Sequence, residues 1–292
     1  MKLGRIGIWT STLDFQPASK AQEAARELEA LGYAAIWFPE ALRREALSNA
    51  SLLLAATSRI VVATGIANIY ARDPVTMAAG QKTLAEAYPG RFLLGIGVSH
   101  QPTVENLRGH VYGKPVPTMR AYLEAMSKAP YQAVEPPEKP MTILAALGPN
   151  MLQLAAELTA GAHPYFVPVE HTRRAREVVG PKAMLAPEQA VVLETNADKA
   201  RSIARVHTEY YLRLTNYVNN LRRLGYSEED VTGGGSDRLV DDVVAWGDVD
   251  HVAARIQAHF DAGANHVSVQ VIAADTKALP APQWRALAKK LL

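Results

Sequence analysis

Thr64-Gly65-Ile66-Ala67-Asn68-Ile69-Tyr70-Ala71-Arg72-Asp73-Pro74 joins a β-like apolar run, residues 60–66, to a helical pattern. Asp73 stands as an N-cap ahead of Pro74 at the first helical position, where the missing amide hydrogen of proline costs nothing. The helix they open is expected to run to about Tyr88, and another β-like run follows at residues 91–96. Strand, helix and strand in that order make a parallel βαβ unit. Outward from this stretch the unit recurs, with further strands expected at residues 3–9, 34–38, 141–146, 162–166, 189–193 and 266–272. Eight such strands suit a closed α/β fold, the (β/α)8 TIM barrel, better than an open doubly wound sheet.

Helix punctuation supports this reading. Ser19 and Gln22 have capping-box spacing ahead of an apolar face formed by Ala21, Ala24, Ala25, Leu28 and Leu31, and Gly32 ends that helix. Pro149 is expected to start the helix after strand five and Gly161 to end it. The long interval between strands seven and eight reads as a helical insertion, with helices around 198–224 and 250–262 flanking a mobile loop at 232–236.

Composition narrows the function classes. The 292 residues carry 31 basic and 29 acidic side chains, interspersed, for a net charge of +2, so no basic face for nucleic acid is expected. With no cysteine, thiolate catalysis, disulfides, iron–sulfur ligation and sulfur-bound zinc are excluded. No 18-residue apolar stretch and no signal-peptide pattern is read, and a cytoplasmic protein without a membrane partner is the expectation.

In a (β/α)8 barrel the ligand site lies where the carboxyl ends of the strands open into βα loops. The residues there are Trp9 and Thr10, Glu40, residues 65–68, 97–100, 147–150 and 163–165, and Gln270. This set is rich in glycine and small polar groups and poor in paired carboxylates or clustered histidines, which suits a cofactor bed better than a metal or hydrolytic site. Gly95-Ile96-Gly97 begins a dinucleotide fingerprint, but its third glycine position holds His100; a Walker pattern and a His-x-x-x-His pair are absent. Residues 145–151 read as strand, tight turn and helix start, either a phosphate cradle of free N–H groups or an ordinary βα turn. Arg173, Arg174 and Arg176 read as a solvated helix face.

Residues 64–74, together with 34–40, 91–100 and 144–162 with its Gly148-Pro149-Asn150 turn, resemble the luciferase-like (bacterial luciferase) oxidoreductase superfamily, particularly its members that use the deazaflavin coenzyme F420. The resemblance covers most of the chain. It implies a single luciferase-like barrel over residues 1–292, a homodimer, and hydride transfer between coenzyme F420 and a small organic substrate. It also implies that strand three ends in a bulge whose non-prolyl cis peptide, here Gly65 to Ile66, backs the flat ring. The cofactor residues carried over are Glu40, Gly65, Ile66, Ala67, Asn68, Gly97, Val98, Ser99, Leu147, Gly148, Pro149, Asn150, His163 and Tyr165, with the phosphate side near Gly148 to Asn150. Glu40 and His100 are the catalytic candidates.

Each of these has a plainer reading. Glu40 could pair at helical spacing with Arg43 or Arg44, His100 could be a solvated or capping loop histidine, and His163 and Tyr165 could end a strand beneath a loop. Trp9 could cover a flat ring or close the barrel end. The chain departs from the family's sugar-phosphate dehydrogenases, since Ala41 and Val98 stand where those carry a histidine and a glutamate; a proton-transfer pair for alcohol oxidation is therefore lacking. The alternatives to F420-dependent hydride transfer are an FMN-dependent monooxygenase of the same superfamily and a flavin-binding barrel without turnover.

Overall fold

Parallel strands buried on both faces send alternate side chains to opposite sides, and the first two strands show what each side becomes. In β1 (Ile6–Trp9) and β2 (Ala35–Phe38), Ile6, Ile8, Ile36 and Phe38 join the large core beneath the helices. Trp9, Ala35 and Trp37 belong instead to a cluster with Val61, Ala63, Leu93, Ile143 and Ala186, which fills the inside of the ring.

The computed structural model describes residues 1 and 3–292. Its further strands are β3 (Val61–Thr64), β4 (Ala67–Asn68), β5 (Phe92–Gly97), β6 (Met141–Leu144), β7 (Gly161–Ala162), β8 (Met184–Leu185), β9 (Glu188–Val192), β10 (Val244–Trp246) and β11 (Val267–Val271). The helices are α1 (Ala18–Leu31), α2 (Ala46–Ala56), α3 (Pro74–Ala87), α4 (Pro115–Ser127), α5 (Pro149–Leu158), α6 (Val169–Val179), α7 (Ala197–Leu212), α8 (Thr215–Arg223), α9 (Asp237–Val243), α10 (Val249–Asp261) and α11 (Ala281–Leu291). Neighbours run β10-β9-β11-β1-β2-β3-β5-β6-β7-β8. β8 and β9 are two halves of one extended stretch: the first pairs with β7 and the second with β11. The Ala186 amide donates to Ala162 O at 2.9 Å and the Ser268 amide to Pro187 O at 3.0 Å, so the ring of eight strand positions closes.

Several local expectations hold. Asp73 accepts from the Val75 and Thr76 amides and Pro74 opens α3; Gly148 is the N-cap before Pro149; Gly32, at φ 95°, ends α1 in the left-handed region. Others are corrected. The N-cap of α1 is Pro17, not Ser19, and Gln22 donates to Leu52 O at 3.0 Å instead of closing a capping box. α5 ends at Leu158, and Gly161 belongs to β7, where at φ 152° a Cβ would lie 1.9 Å from Met184 O. The sixth strand is regular only over Gly161–Ala162: the His163 amide still donates to Leu144 O at 2.7 Å and Pro164 O accepts from the Glu188 amide at 2.9 Å, but Phe166, at φ 57°, is not part of the strand.

The insertion between the seventh and eighth strand positions is real but more elaborate than expected. The helix expected over 198–224 is two, and β10 adds a strand beside β9. The glycine segment 233–235 is tied down: Thr208 Oγ1 donates to Gly234 O and Ser236 Oγ to Asp230 Oδ1. α7, α8 and α9 pack with Phe166, Ala190 and Val192 in a core of their own above the ring. Among the described residues no helix is long and apolar enough to cross a membrane, and no His/Cys/Asp/Glu group is arranged to hold a metal ion.

Candidate active site

A cavity of about 640 Å³ opens at the carboxyl ends of the strands, within the range of small-molecule and cofactor sites. Its position follows from the inward side chains. Gly65, after β3, and Ala145, after β6, leave room on one part of the ring, whereas Trp9, His163, Tyr165 and Gln270 line the remainder.

The platform formed by residues 65–68 interrupts the third strand, and its Gly65–Ile66 peptide is cis, as the resemblance implies. The Gly65 amide donates to Phe38 O at 2.7 Å, and Trp9 Nε1 donates to Gly65 O at 3.1 Å. A Cβ on Gly65 would lie 2.7 Å from Trp9 Nε1 and 3.2 Å from His163 Nε2, so only glycine lets the backbone approach these rings. Glu40 anchors both ends of the platform. Its amide donates to Ile66 O at 3.0 Å, and its carboxylate accepts from the Asn68 amide at 2.8 Å and the Ala46 amide at 3.1 Å.

Arg72 completes this lock. Its guanidinium binds both Glu40 oxygens and also Glu45, and the Glu40 and Arg72 side chains are only 5% and 8% exposed. Burial alone would lower the Arg72 pKa, but hydrogen bonding to Glu40 and the charges of Glu40 and Glu45 raise it. The local pairing expected with Arg43 or Arg44 does not form: Arg44 donates to the Leu13 and Gln16 carbonyls, and Arg43 lies over the Phe15 ring.

His163 stacks on Trp37, with ring centroids 4.4 Å apart, and its Nδ1 faces Ala186 O at 2.7 Å. A carbonyl can only accept, so Nδ1 carries the proton and the unpartnered Nε2 presents a lone pair towards Gly65. Burial pushes this imidazole down to about 4, so it is neutral at pH 7. Burial likewise takes His207, whose Nε2 has no partner, to about 4. His100, beside Tyr217 with centroids 5.8 Å apart, is lowered by burial against the opposing pull of Asn216.

Tyr165 donates to Gln270 Oε1 at 2.7 Å and accepts from the Tyr211 hydroxyl at 2.9 Å. Burial raises both phenols, which therefore stay protonated. Behind them Glu188 is 1% exposed; burial pushes its carboxyl up to about 8, although the Phe166 amide donates to Oε2 at 3.2 Å. It too is mostly uncharged at pH 7.

The structure brings Glu40, Gly65, Ile66, Asn68, Ser99, His100, His163 and Tyr165 around one cavity. It does not bring the rest of the expected set there. Ala67 and Val98 face the core under the helices, and Gly97 lies beneath Ile66, whose side chain a Cβ at Gly97 would meet at 2.7 Å. Leu147, Gly148, Pro149 and Asn150 are outside the cavity lining. α8 lines the cavity with Tyr217 while its Arg223 side chain lies near Gly148, and Leu147 O is taken by His171 Nε2 at 2.8 Å. Arg173 and Arg174 lie on the expected solvated face, where both pair with Glu170, but Arg176 donates to the Gly263 and Ala183 carbonyls. Arg72, His207, Tyr211 and Tyr217 escaped the sequence reading. Ile203, His207 and Tyr211, four residues apart on α7, were the available signal for a wall.

A closed parallel barrel with its cavity at the strand ends and a glycine platform under that cavity defines a class of cofactor-binding barrels. Residues 3–266 match the family model for luciferase-like monooxygenases, and the chain belongs to that family. A putative coenzyme F420-dependent oxidoreductase of Mycobacterium tuberculosis is 26% identical, over 94% of this chain and 95% of its own length. A 5,10-methylenetetrahydromethanopterin reductase of Methanolobus tindarius is 25% identical, over 65% of this chain and 66% of its own. Two solved structures share the fold: an F420-dependent secondary alcohol dehydrogenase in complex with an F420–acetone adduct (TM-score 0.76, 15% identity, 100% of this chain and 98% of that one), and the oxygenating constituent of 3,6-diketocamphane monooxygenase from Pseudomonas putida in complex with FMN (0.72, 17%, 98% and 96%).

Proposed function

We propose that this protein is an F420-dependent oxidoreductase acting on a small organic substrate. The observation that carries the proposal is the platform of residues 65–68 along the cavity wall, held at Ile66 and Asn68 by Glu40, which Arg72 in turn fixes. A flat ring needs a rigid, close-approaching backbone of this kind, and Gly65 supplies the approach beside Trp9 and His163. The near full-length relative named as F420-dependent supports the deazaflavin over FMN.

When bound, a deazaflavin gives or accepts a hydride. The chain's own part is to hold and orient. Gly65, Ile66 and Asn68 would carry the ring, with Trp9 and His163 behind Gly65, while Glu40 keeps the platform in place. His100, which lines the cavity and whose pKa burial lowers, would take a proton there. Fixing the reacting atoms close together lowers a barrier by roughly several kcal/mol. Residues 147–150 are not carried into this reading, since none of them lines the cavity.

Fluorescence titration with oxidised F420 and, separately, FMN tests the assignment. Micromolar or tighter binding of F420, with FMN much weaker, is the expected outcome. The reverse preference would assign the protein to the FMN-dependent monooxygenases, with oxygen consumed in step with substrate, and binding of neither would remove the cofactor assignment.

A further inference from the structure

The part of the cavity across the ring from β3 is built of phenols. Tyr165 has its ring centroid 5.0 Å from Trp9 and 5.0 Å from Tyr211, and Tyr211 is 5.1 Å from Tyr217. The Tyr211 and Tyr165 hydroxyls and the Gln270 carboxamide form one polar line through this wall. Towards solvent, Val206 and Tyr210 on α7 border the cavity at 63% and 61% exposure.

Among the described residues, no charged group of the cavity lining is both buried and unpaired. Glu40 has both oxygens occupied by Arg72 and by backbone amides. His100, His163 and His207 are neutral at pH 7. The two remaining charged lining groups are exposed: Arg43 lies over Phe15, and Asp275 accepts from the Lys277 and Ala278 amides. A carboxylate or phosphate moved between the phenols would lose its hydration and have as counter-ion only the exposed Arg43 guanidinium, whose charge reaches Tyr211.

We infer that this wall is the substrate half of the site and selects an uncharged, flat aromatic molecule bearing one hydrogen-bonding oxygen, its ring packed among Tyr165, Tyr211 and Tyr217 and its oxygen bonded to the Tyr165–Tyr211 hydroxyl pair. The inference rests on the cofactor reading above for which half is left to substrate. The hydroxyl line can serve an acceptor oxygen: with the Gln270 amide turned to donate to Tyr165, and Tyr165 donating to Tyr211, the Tyr211 proton is free for the ligand.

The test is calorimetric titration of the whole protein, alone and saturated with oxidised F420, with two probes of the same ring and nearly the same shape, 2-acetonaphthone and 2-naphthoate. The neutral ketone is expected to bind at least about tenfold more tightly than the anion. Tyr211→Phe and Gln270→Leu, each checked for an unchanged melting transition, are expected to weaken the ketone by about fivefold. Equal or tighter binding of naphthoate, no binding of the ketone, or full ketone affinity in both variants would overturn the inference. Ketone selectivity without F420 binding would remove the cofactor reading alone, and F420 binding without selectivity would remove this inference alone.

Discussion

A carboxylate that accepts two backbone N–H groups and a two-pronged guanidinium while 5% exposed has no lone pair left to take a proton from a substrate. Glu40 is thus a positioning residue for the platform, although its place after the second strand marked it for chemistry. Its role was half legible: the sequence puts an acid at the right strand end, but Arg72 is 32 positions away and nothing local pairs the two. Glu40→Gln leaves Arg72 buried with only the half-exposed Glu45 as a charged partner. A loss of about 3 kcal/mol of stability follows from breaking such a pair. F420 should also bind more weakly, by about tenfold or more. Thermal denaturation and fluorescence titration read the two effects, and a variant with full stability and full cofactor affinity but no turnover would restore Glu40 as a catalytic group.

At the scale of elements, the wall of the site depends on one inserted helix. α7 begins at Asn196, whose Oδ1 accepts from the Lys199 amide at 3.0 Å, and it sets Ile203, His207 and Tyr211 along the cavity. Asn196→Ala should cost about 1 kcal/mol, as loss of an N-cap does. Hydrogen exchange should localise the change to the first turns of α7, with the β1–β6 amides unaffected. Periodicity made α7 visible as a helix. Its direction over the barrel mouth was not visible, because that is set by Phe166, which follows β7, by Ala190 and Val192 of β9, and by β10, a three-residue strand too short to carry a pattern.

Over the whole molecule, burial governs the response to pH. His163, His171, His207 and His266 are held to about 4 and His259 to about 3, all below the ordinary histidine value of about 6.5. Below pH 6.5 the unfolded chain takes up protons that the native state refuses, so these groups lower stability progressively as pH falls from about 6.5 towards 4. Glu188 works in the other direction: raised to about 8, it stays protonated in the native state while the unfolded chain ionises, and it costs stability as pH rises from about 4.5 to 8. Five groups outweigh one. Urea midpoints should fall steadily between pH 7 and pH 5, and a midpoint unchanged over that interval would mean the histidines are hydrated in the native state.

The sequence by itself determined what local forces decide. Eight apolar strand runs alternating with helices specify a parallel barrel, and Asp73-Pro74 and Gly148-Pro149 start their helices through caps and a fixed φ, whereas the platform at the third strand was read from the family resemblance of residues 64–74. The runs and the caps need only neighbours along the chain. Which distant groups meet was decided only on folding: Arg72 on Glu40, the tyrosines of α7 and α8 opposite the platform, and Arg223 of α8 beside the 147–150 turn, which lies outside the cavity lining. Such contacts depend on where a helix lies once its apolar face is buried, and no spacing within a single segment encodes that choice.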